Sequence, residues 1–134
     1  MDVISLAKIK ADFPSLRFIK GRKFAFRPPR TIVTPENFSK DEYPLLLHEL
    51  GHALVGRFDF KTEIERLQIE VLAWEKAREL AASYEIEIDE NLIQGELDTY
   101  RDWLHQKSRC PNCGLTRFQT PDGVFRCPKC DIIS

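Results

Sequence analysis

The sequence predicts an α+β fold, in which a small sheet and several helices are followed by a compact cysteine-rich module. Three observations lead to this prediction. β-Branched and aromatic residues fall in short runs before residue 35, apolar residues recur at helical spacing from about residue 41 to 106, and all four cysteines lie after residue 109. We therefore predict one domain over residues 1–106 and a second, much smaller one over residues 107–134.

The composition is that of an ordinary globular protein, with 43% apolar and 31% charged residues in 134. The net charge is −1, but its distribution is uneven: residues 8–30 carry eight basic side chains and one acid, whereas residues 63–102 carry twelve acids and four bases. No stretch approaches the roughly 20 apolar residues of a membrane span, and the N-terminus lacks the apolar core of a signal peptide. We expect a cytoplasmic protein without a membrane segment.

The N-terminal third contains one predicted helix and three predicted strands. Residues 2–11 have amphipathic helical spacing, and residues 16–20, 23–27 and 30–34 read as strands bounded by glycine and proline. The third strand is β-branched throughout from residue 31 to 34, and Pro35 closes it. We interpret residues 31–34 as an edge strand.

The next helix is predicted to begin near Asp41 and to end at Gly56. Asp41 is a suitable N-cap, and it places Pro44 in the first turn, where a missing N–H costs nothing. Ser39 with Glu42 is an alternative capping box, although it would move Pro44 deeper into the helix.

Two further helices follow. Thr62 with Glu65 forms a capping box that opens a long helix over residues 62–83, and Asp89 can cap a third helix that runs to about residue 106.

The motif that suggests a function is Leu-His-Glu-Leu-Gly-His-Ala-Leu-Val at residues 47–55. His48 and His52 are four residues apart, so on a helix both imidazoles leave the same face one turn apart. Two imidazoles placed in this way can bind one zinc ion and leave other coordination positions open. Glu49 then lies beside the metal, where it can accept a proton from a metal-bound water.

A catalytic zinc usually has a third protein ligand, and Glu70 is the preferred candidate. An ionised glutamate on a packed helix face is costly unless it is paired or binds a metal. Glu63 is explained more simply as a first-turn acid favoured by the helix dipole, and Asp59 and His105 remain alternatives. The predicted apolar face that carries Glu70 is formed by Leu67, Val71, Trp74, Ala77 and Ala81.

With His-Glu-Leu-Gly-His at residues 48–52 and Glu-Val-Leu-Ala-Trp at residues 70–74, the chain resembles gluzincin-type zinc metallopeptidases. The resemblance covers residues 30–82 and is greatest to the minigluzincins and the ImmA/IrrE-like group. It implies a zincin-like fold, in which the edge strand of a sheet borders a cleft formed with an active-site helix and a glutamate helix. Where these proteins often have a glutamate before the alanine, this chain has Leu72. SprT-like proteases also join this motif to a C-terminal zinc ribbon, so they resemble the chain in domain order. The resemblance goes no further, because they place a third histidine soon after the motif and this chain has none there.

These residues predict hydrolysis of peptide bonds in a protein substrate. Zinc would acidify its bound water and polarise the scissile carbonyl, while Glu49 would act as general base. Residues 31–34 are the candidate strand for binding an extended peptide through its main chain. Tyr43, Tyr84 and Tyr100 are candidate oxyanion donors, and the sequence does not rank them.

The C-terminal module predicts a second, structural zinc site. Its two Cys-Pro-x-Cys pairs are separated by thirteen residues, which suits a small zinc ribbon with a hairpin of residues 115–119 and 124–126 between the pairs. A redox dithiol would need only one pair. The four predicted ligands are Cys110, Cys113, Cys127 and Cys130.

The alternative function is a non-enzymatic zinc protein that binds nucleic acid or a protein partner. The basic segment of residues 8–30 is one candidate surface, and the ribbon is the other. The ribbon's basic residues exceed its acids by only three, so stabilising the C-terminal part of the chain is the slightly favoured role for it. The charged and aromatic residues considered are Lys107, Arg109, Arg117, Phe118, Asp122, Phe125, Arg126, Lys129 and Asp131.

Overall fold

The computed structural model describes residues 5–130 and shows the mixed α+β architecture that the sequence predicts. The helices in this range are α1 (Leu6–Asp12), α2 (Tyr43–Val55), α3 (Glu63–Tyr84) and α4 (Glu90–Ser108). The strands are β1 (Arg17–Gly21), β2 (Ala25–Arg27), β3 (Thr31–Pro35), β4 (Phe118–Gln119) and β5 (Phe125–Arg126). The predicted start of the first helix at residue 2 lies outside the described residues, as does Asp131.

The described residues form two compact units. The first contains the chain up to Phe58 together with Leu72–Ile88, and the second contains Asp59–Val71 together with the chain from Asp89 onward. Helix α3 is one continuous helix that has residues in both units. The predicted domain boundary at residues 106 and 107 stays a prediction.

The sheet of the first unit has the strand order β1-β3-β2, with β1 parallel and β2 antiparallel to β3. The prediction that residues 31–34 form an edge strand is therefore wrong, because β3 is the central strand. Ile32, Val33 and Thr34 are all at most 3% exposed, so a run of consecutive buried residues marks a strand covered on both faces. Among residues 5–130, the edge strands of this sheet are β1 and β2.

Helix α2 begins differently from the preferred prediction. A 3₁₀ turn over Lys40–Glu42 precedes it, and the backbone N–H of Ser39 donates to the Glu42 carboxylate at 3.2 Å. The alternative capping box is thus present, and Asp41 is not the N-cap. Because the 3₁₀ turn ends before the α-helix begins, Pro44 still falls in the first turn of α2.

The predicted end of α2 is confirmed. Gly56 has φ of 70°, the left-handed conformation that glycine adopts without strain, and its N–H donates to the His52 carbonyl at 3.2 Å. Leu46, Leu47 and Leu50 are fully buried on the opposite side of the helix from solvent. The motif helix is therefore packed along one face and closed by a cap at its C-terminus.

In the second unit, the helix starts agree with the predictions. Thr62 Oγ1 accepts from the Glu65 N–H at 3.2 Å, and Asp89 accepts from the Asn91 N–H at 2.9 Å. The predicted hairpin forms between β4 and β5 and is shorter than expected, with two residues in each strand. Within residues 5–130, no helix combines the length and the apolar character needed to cross a membrane.

Candidate metal centres

The two histidines of the motif lie on one face of α2, as their spacing predicts. Their ring centroids are 4.7 Å apart, and the His48 side chain is 13% exposed. Both imidazoles are therefore close enough together to contact one ion, and the site is only partly open to solvent.

Aromatic rings fix the orientation of these imidazoles. The Trp74 indole stacks on His48 with a centroid distance of 4.2 Å and an interplanar angle of 5°, and Trp74 itself is 1% exposed. The ring of Phe26, on β2, is nearly parallel to that of His52 at 6.4 Å. Stacking restricts rotation of an imidazole, which lowers the entropy lost when a metal binds.

Gly51 allows α2 to approach α3 closely. A Cβ atom at this position would overlap the backbone carbonyl of Ala73, which is fully buried. No side chain larger than hydrogen fits between the two backbones here. The glycine inside the His-Glu-Leu-Gly-His motif therefore has a packing role as well as a place in the sequence pattern.

Gly51→Ala should lower the free energy of unfolding by about 1–3 kcal/mol, the usual cost of overpacking a buried contact. The matched control is Gly95→Ala on α4, where a Cβ meets no atom within 4 Å. That control should raise helix stability by up to about 1 kcal/mol. Urea unfolding of both variants measures the difference, and equal stabilities would contradict the packing role.

Glu70 is a buried carboxylate, at 8% exposure, and it lies within the buried stripe of α3. That stripe continues through Ala73, Trp74 and Ala77. Leu67 and Val71, which belong to the predicted apolar face, are only half-buried. Ala73 and Trp74 pack against α2, and Glu70 precedes them by one helical turn. Glu70 therefore lies on the same face of α3 as the residues that pack against α2.

The structure brings the donor atoms of His48, His52 and Glu70 to within 4.8 Å of one another. Two donors of one tetrahedral zinc are about 3.4 Å apart, given metal–ligand distances of about 2.0–2.2 Å. Two imidazoles and a carboxylate are also the donor set that catalytic zinc sites use. These side chains therefore fit a metal ion such as zinc.

The rival third ligands lie outside this group. Asp59 and His105 are exposed. Glu63 has other partners, since its carboxylate accepts from Lys107 at 3.3 Å and lies 4.0 Å from Arg66.

Glu49 lies beside the histidines with a side chain that is 16% exposed. One of its carboxylate oxygens is 3.7 Å from His48 Nδ1. This distance exceeds that of a hydrogen bond, so the pair is a close electrostatic contact. Glu49 thus offers a carboxylate beside His48 and is not one of the three gathered donors.

The four cysteines form a second group, with all four sulfurs within 4.8 Å of one another. Cys110 Sγ lies 3.9 Å from Cys130 Sγ, and Cys113 Sγ lies 3.5 Å from Cys127 Sγ. Two sulfurs on one tetrahedral zinc are about 3.8 Å apart, given a Zn–S bond of about 2.3 Å. The observed distances are those of a closed four-thiolate site.

Backbone amides favour the thiolate form of Cys110. The N–H groups of Cys113 and Asn112 donate to Cys110 and lower its pKa to about 6. At Cys113 the backbone hydrogen bond from Leu115 lowers the pKa, but burial and the neighbouring thiols outweigh it and raise the pKa to about 11. Four crowded sulfurs cannot all ionise unless a cation offsets their charge, and a divalent metal provides that offset.

The residues that sequence reasoning missed are those around the ligands. Trp74 was predicted as an apolar residue of the long helix, but nothing local indicated that it stacks on His48. Phe26 gave no signal, since its contact with His52 depends on β2 lying at the sheet edge beside α2. The sequence does not rank the three candidate oxyanion donors, Tyr43, Tyr84 and Tyr100. In the structure Tyr84 donates to Asp12 at 2.5 Å, and Tyr43 packs edge-on against Phe38.

Comparisons of the chain with protein-family models, with curated proteins and with solved structures gave no match. Support for a function comes from the donor groups and their geometry.

Proposed function

We propose that the protein is a zinc-dependent metalloendopeptidase with a zincin-like fold of the gluzincin type. The observation that carries this proposal is the group formed by His48, His52 and Glu70 with Glu49 beside it. A purely structural metal site would not need a further, partly exposed carboxylate beside one of its ligands. A hydrolytic site needs that carboxylate as a base.

In this proposal, different residues bind the metal, transfer the proton and position a ligand. His48, His52 and Glu70 would hold the ion, which when bound supplies a Lewis acid and an acidified water. Glu49 would accept the proton of the attacking water and return it to the leaving amine. Trp74 keeps the His48 ring in place, since its indole covers one face of the imidazole.

Strand β2 replaces β3 as the candidate for binding the substrate backbone. Within residues 5–130, β2 pairs with β3 on one side and with no strand on the other. Its Phe26 lies against His52, so this edge strand lies beside the motif helix. An extended peptide can add to such an edge through main-chain hydrogen bonds.

In this proposal the cysteine group holds a second, structural zinc. Four thiolates fill the tetrahedral coordination of zinc and leave no position for substrate. The ribbon then stabilises the second unit rather than taking part in chemistry.

The alternative, a non-enzymatic protein that binds nucleic acid, has one observation in its favour. All eight basic residues between residues 8 and 30 are exposed. The ribbon supports it less, because two of its cations already have partners within the protein. Lys107 donates to Glu63. Arg117 lies over the Phe125 ring at 5.1 Å and donates to a backbone carbonyl. Peptidase activity and polyanion binding are also compatible in one protein.

The deciding experiment measures metal content and proteolysis together. The purified protein should bind two zinc ions and cleave an unstructured substrate such as casein, with activity lost on chelation and restored by zinc. His52→Ala should retain one zinc ion, in the ribbon, and should not cleave. Salt-dependent binding to DNA, measured in parallel, tests the alternative. A protein that binds one zinc, or that binds DNA tightly with no metal-dependent cleavage, would contradict the peptidase proposal.

A further inference from the structure

The buried carboxylate of Glu70 has a hydroxyl partner on another helix. Tyr100, on α4, makes a side-chain hydrogen bond to Glu70, and both residues belong to the second unit. Burial and the charge of Glu70 raise the pKa of Tyr100 above 10.0, although Arg66 opposes the shift. A tyrosine hydroxyl is protonated at neutral pH without any such shift, so its O–H donates and the carboxylate accepts.

The position of Tyr100 is fixed by its neighbours. Arg66 precedes Glu70 by four residues on α3, so the two side chains leave the same face of that helix. The Arg66 guanidinium lies 5.2 Å from the centroid of the Tyr100 ring and 5.4 Å from that of Trp103. Because Arg66 also interacts with the Tyr100 hydroxyl, the phenol is held between a cation and a carboxylate of the same helix.

A glutamate ligand needs such a partner more than a histidine does. The glutamate side chain has three rotatable bonds, and ordering it costs conformational entropy each time a metal binds. A fixed donor on the carboxylate restricts those rotations before the metal arrives. Hydrogen bonds of this kind from outside the ligand set commonly account for 10–100-fold in metal affinity.

We propose that Tyr100 is a positioning residue, which holds the Glu70 carboxylate in the orientation that binds the metal of the helix site. This inference rests on the proposed zinc site. It gives Tyr100 a role different from that of an oxyanion donor, because its hydroxyl is engaged with a ligand of the metal. It also gives α4, which contributes none of the three donors, a contact with one of the ligand side chains.

The test is Tyr100→Phe, which removes one oxygen atom and keeps the ring that Arg66 contacts. Zinc affinity is measured by competition with a chromophoric chelator, and the zinc bound to the ribbon serves as an internal standard. We expect the helix site to bind zinc about 10–100-fold more weakly, with the ribbon affinity unchanged. The matched control is Tyr84→Phe, which removes the donor to Asp12 in the first unit and should leave both affinities unchanged.

Proteolysis at different zinc concentrations separates positioning from direct catalysis. A positioning role predicts that Tyr100→Phe loses activity at limiting zinc and regains it when excess zinc fills the site. An oxyanion donor would leave the activity reduced at saturating zinc, which would overturn the proposal. Unchanged zinc affinity at the helix site would also overturn it. If the parent protein bound no zinc at this site, the proposed function itself would fail, and that outcome is visible before any variant is compared.

Discussion

Replacing Glu49 by glutamine is expected to lower kcat/KM for peptide hydrolysis by about 10²–10⁴-fold, the usual contribution of a general base. Glutamine has almost the same shape as glutamate but cannot accept the proton of the attacking water. Because Glu49 is not one of the three gathered donors, the variant should still bind two zinc ions. Casein cleavage and zinc content, measured on the same preparations, check both parts of this prediction.

The matched control for this variant is Glu75→Gln on α3. Glu75 is exposed, so its substitution makes the same chemical change without touching either metal group. It should cleave like the parent. If Glu49→Gln cleaved as fast as the parent, the role of Glu49 as base would be wrong. If it lost the helix-site zinc instead, Glu49 would have to be reassigned to metal binding.

Replacing Cys127 by serine is expected to unfold the ribbon and to reduce the zinc content from two ions to one. Cys127 is 3% exposed, its sulfur lies 3.5 Å from that of Cys113, and it accepts the N–H of Cys130 at 3.3 Å. The hairpin has only four strand residues, and Leu115 and Val124 are about half exposed. So small a module has almost no apolar core, and metal binding must provide most of its folding free energy.

Unfolding of the ribbon should also destabilise the start of α3. The side-chain oxygen of Gln119 accepts the N–H of Glu63 at 2.6 Å, and it thereby caps an amide that has no partner within the helix. Hydrogen exchange should therefore accelerate both in residues 109–130 and at Glu63 in the Cys127→Ser protein. Thr116→Ser, an exposed change in the same module, should leave exchange and zinc content unchanged. Persistent protection of residues 109–130 without metal would contradict the structural-zinc assignment.

Local sequence signals determined much of this protein. The His-x-x-x-His spacing places two imidazoles on one helix face wherever that helix packs, and Gly56 ends the helix because a left-handed residue is needed there. Thr62 and Asp89 mark helix starts for an equally local reason, since their side chains accept hydrogen bonds from amides two or three residues away. The sequence also predicted that the two cysteine pairs come together around one ion, because each Cys-Pro-x-Cys turn directs both of its sulfurs to the same side.

Only the tertiary structure decided how these elements meet. A run of β-branched residues is compatible with either an edge or a central strand, and the pairing of β3 with both neighbours made it central. The sequence ranked Glu70 as a ligand from its helix face, but its burial to 8% exposure depends on the packing of other elements against α3. The contacts of Phe26 with His52 and of Tyr100 with Glu70 join residues 26 and 30 positions apart. No local pattern encodes such contacts, because they arise from packing between whole elements.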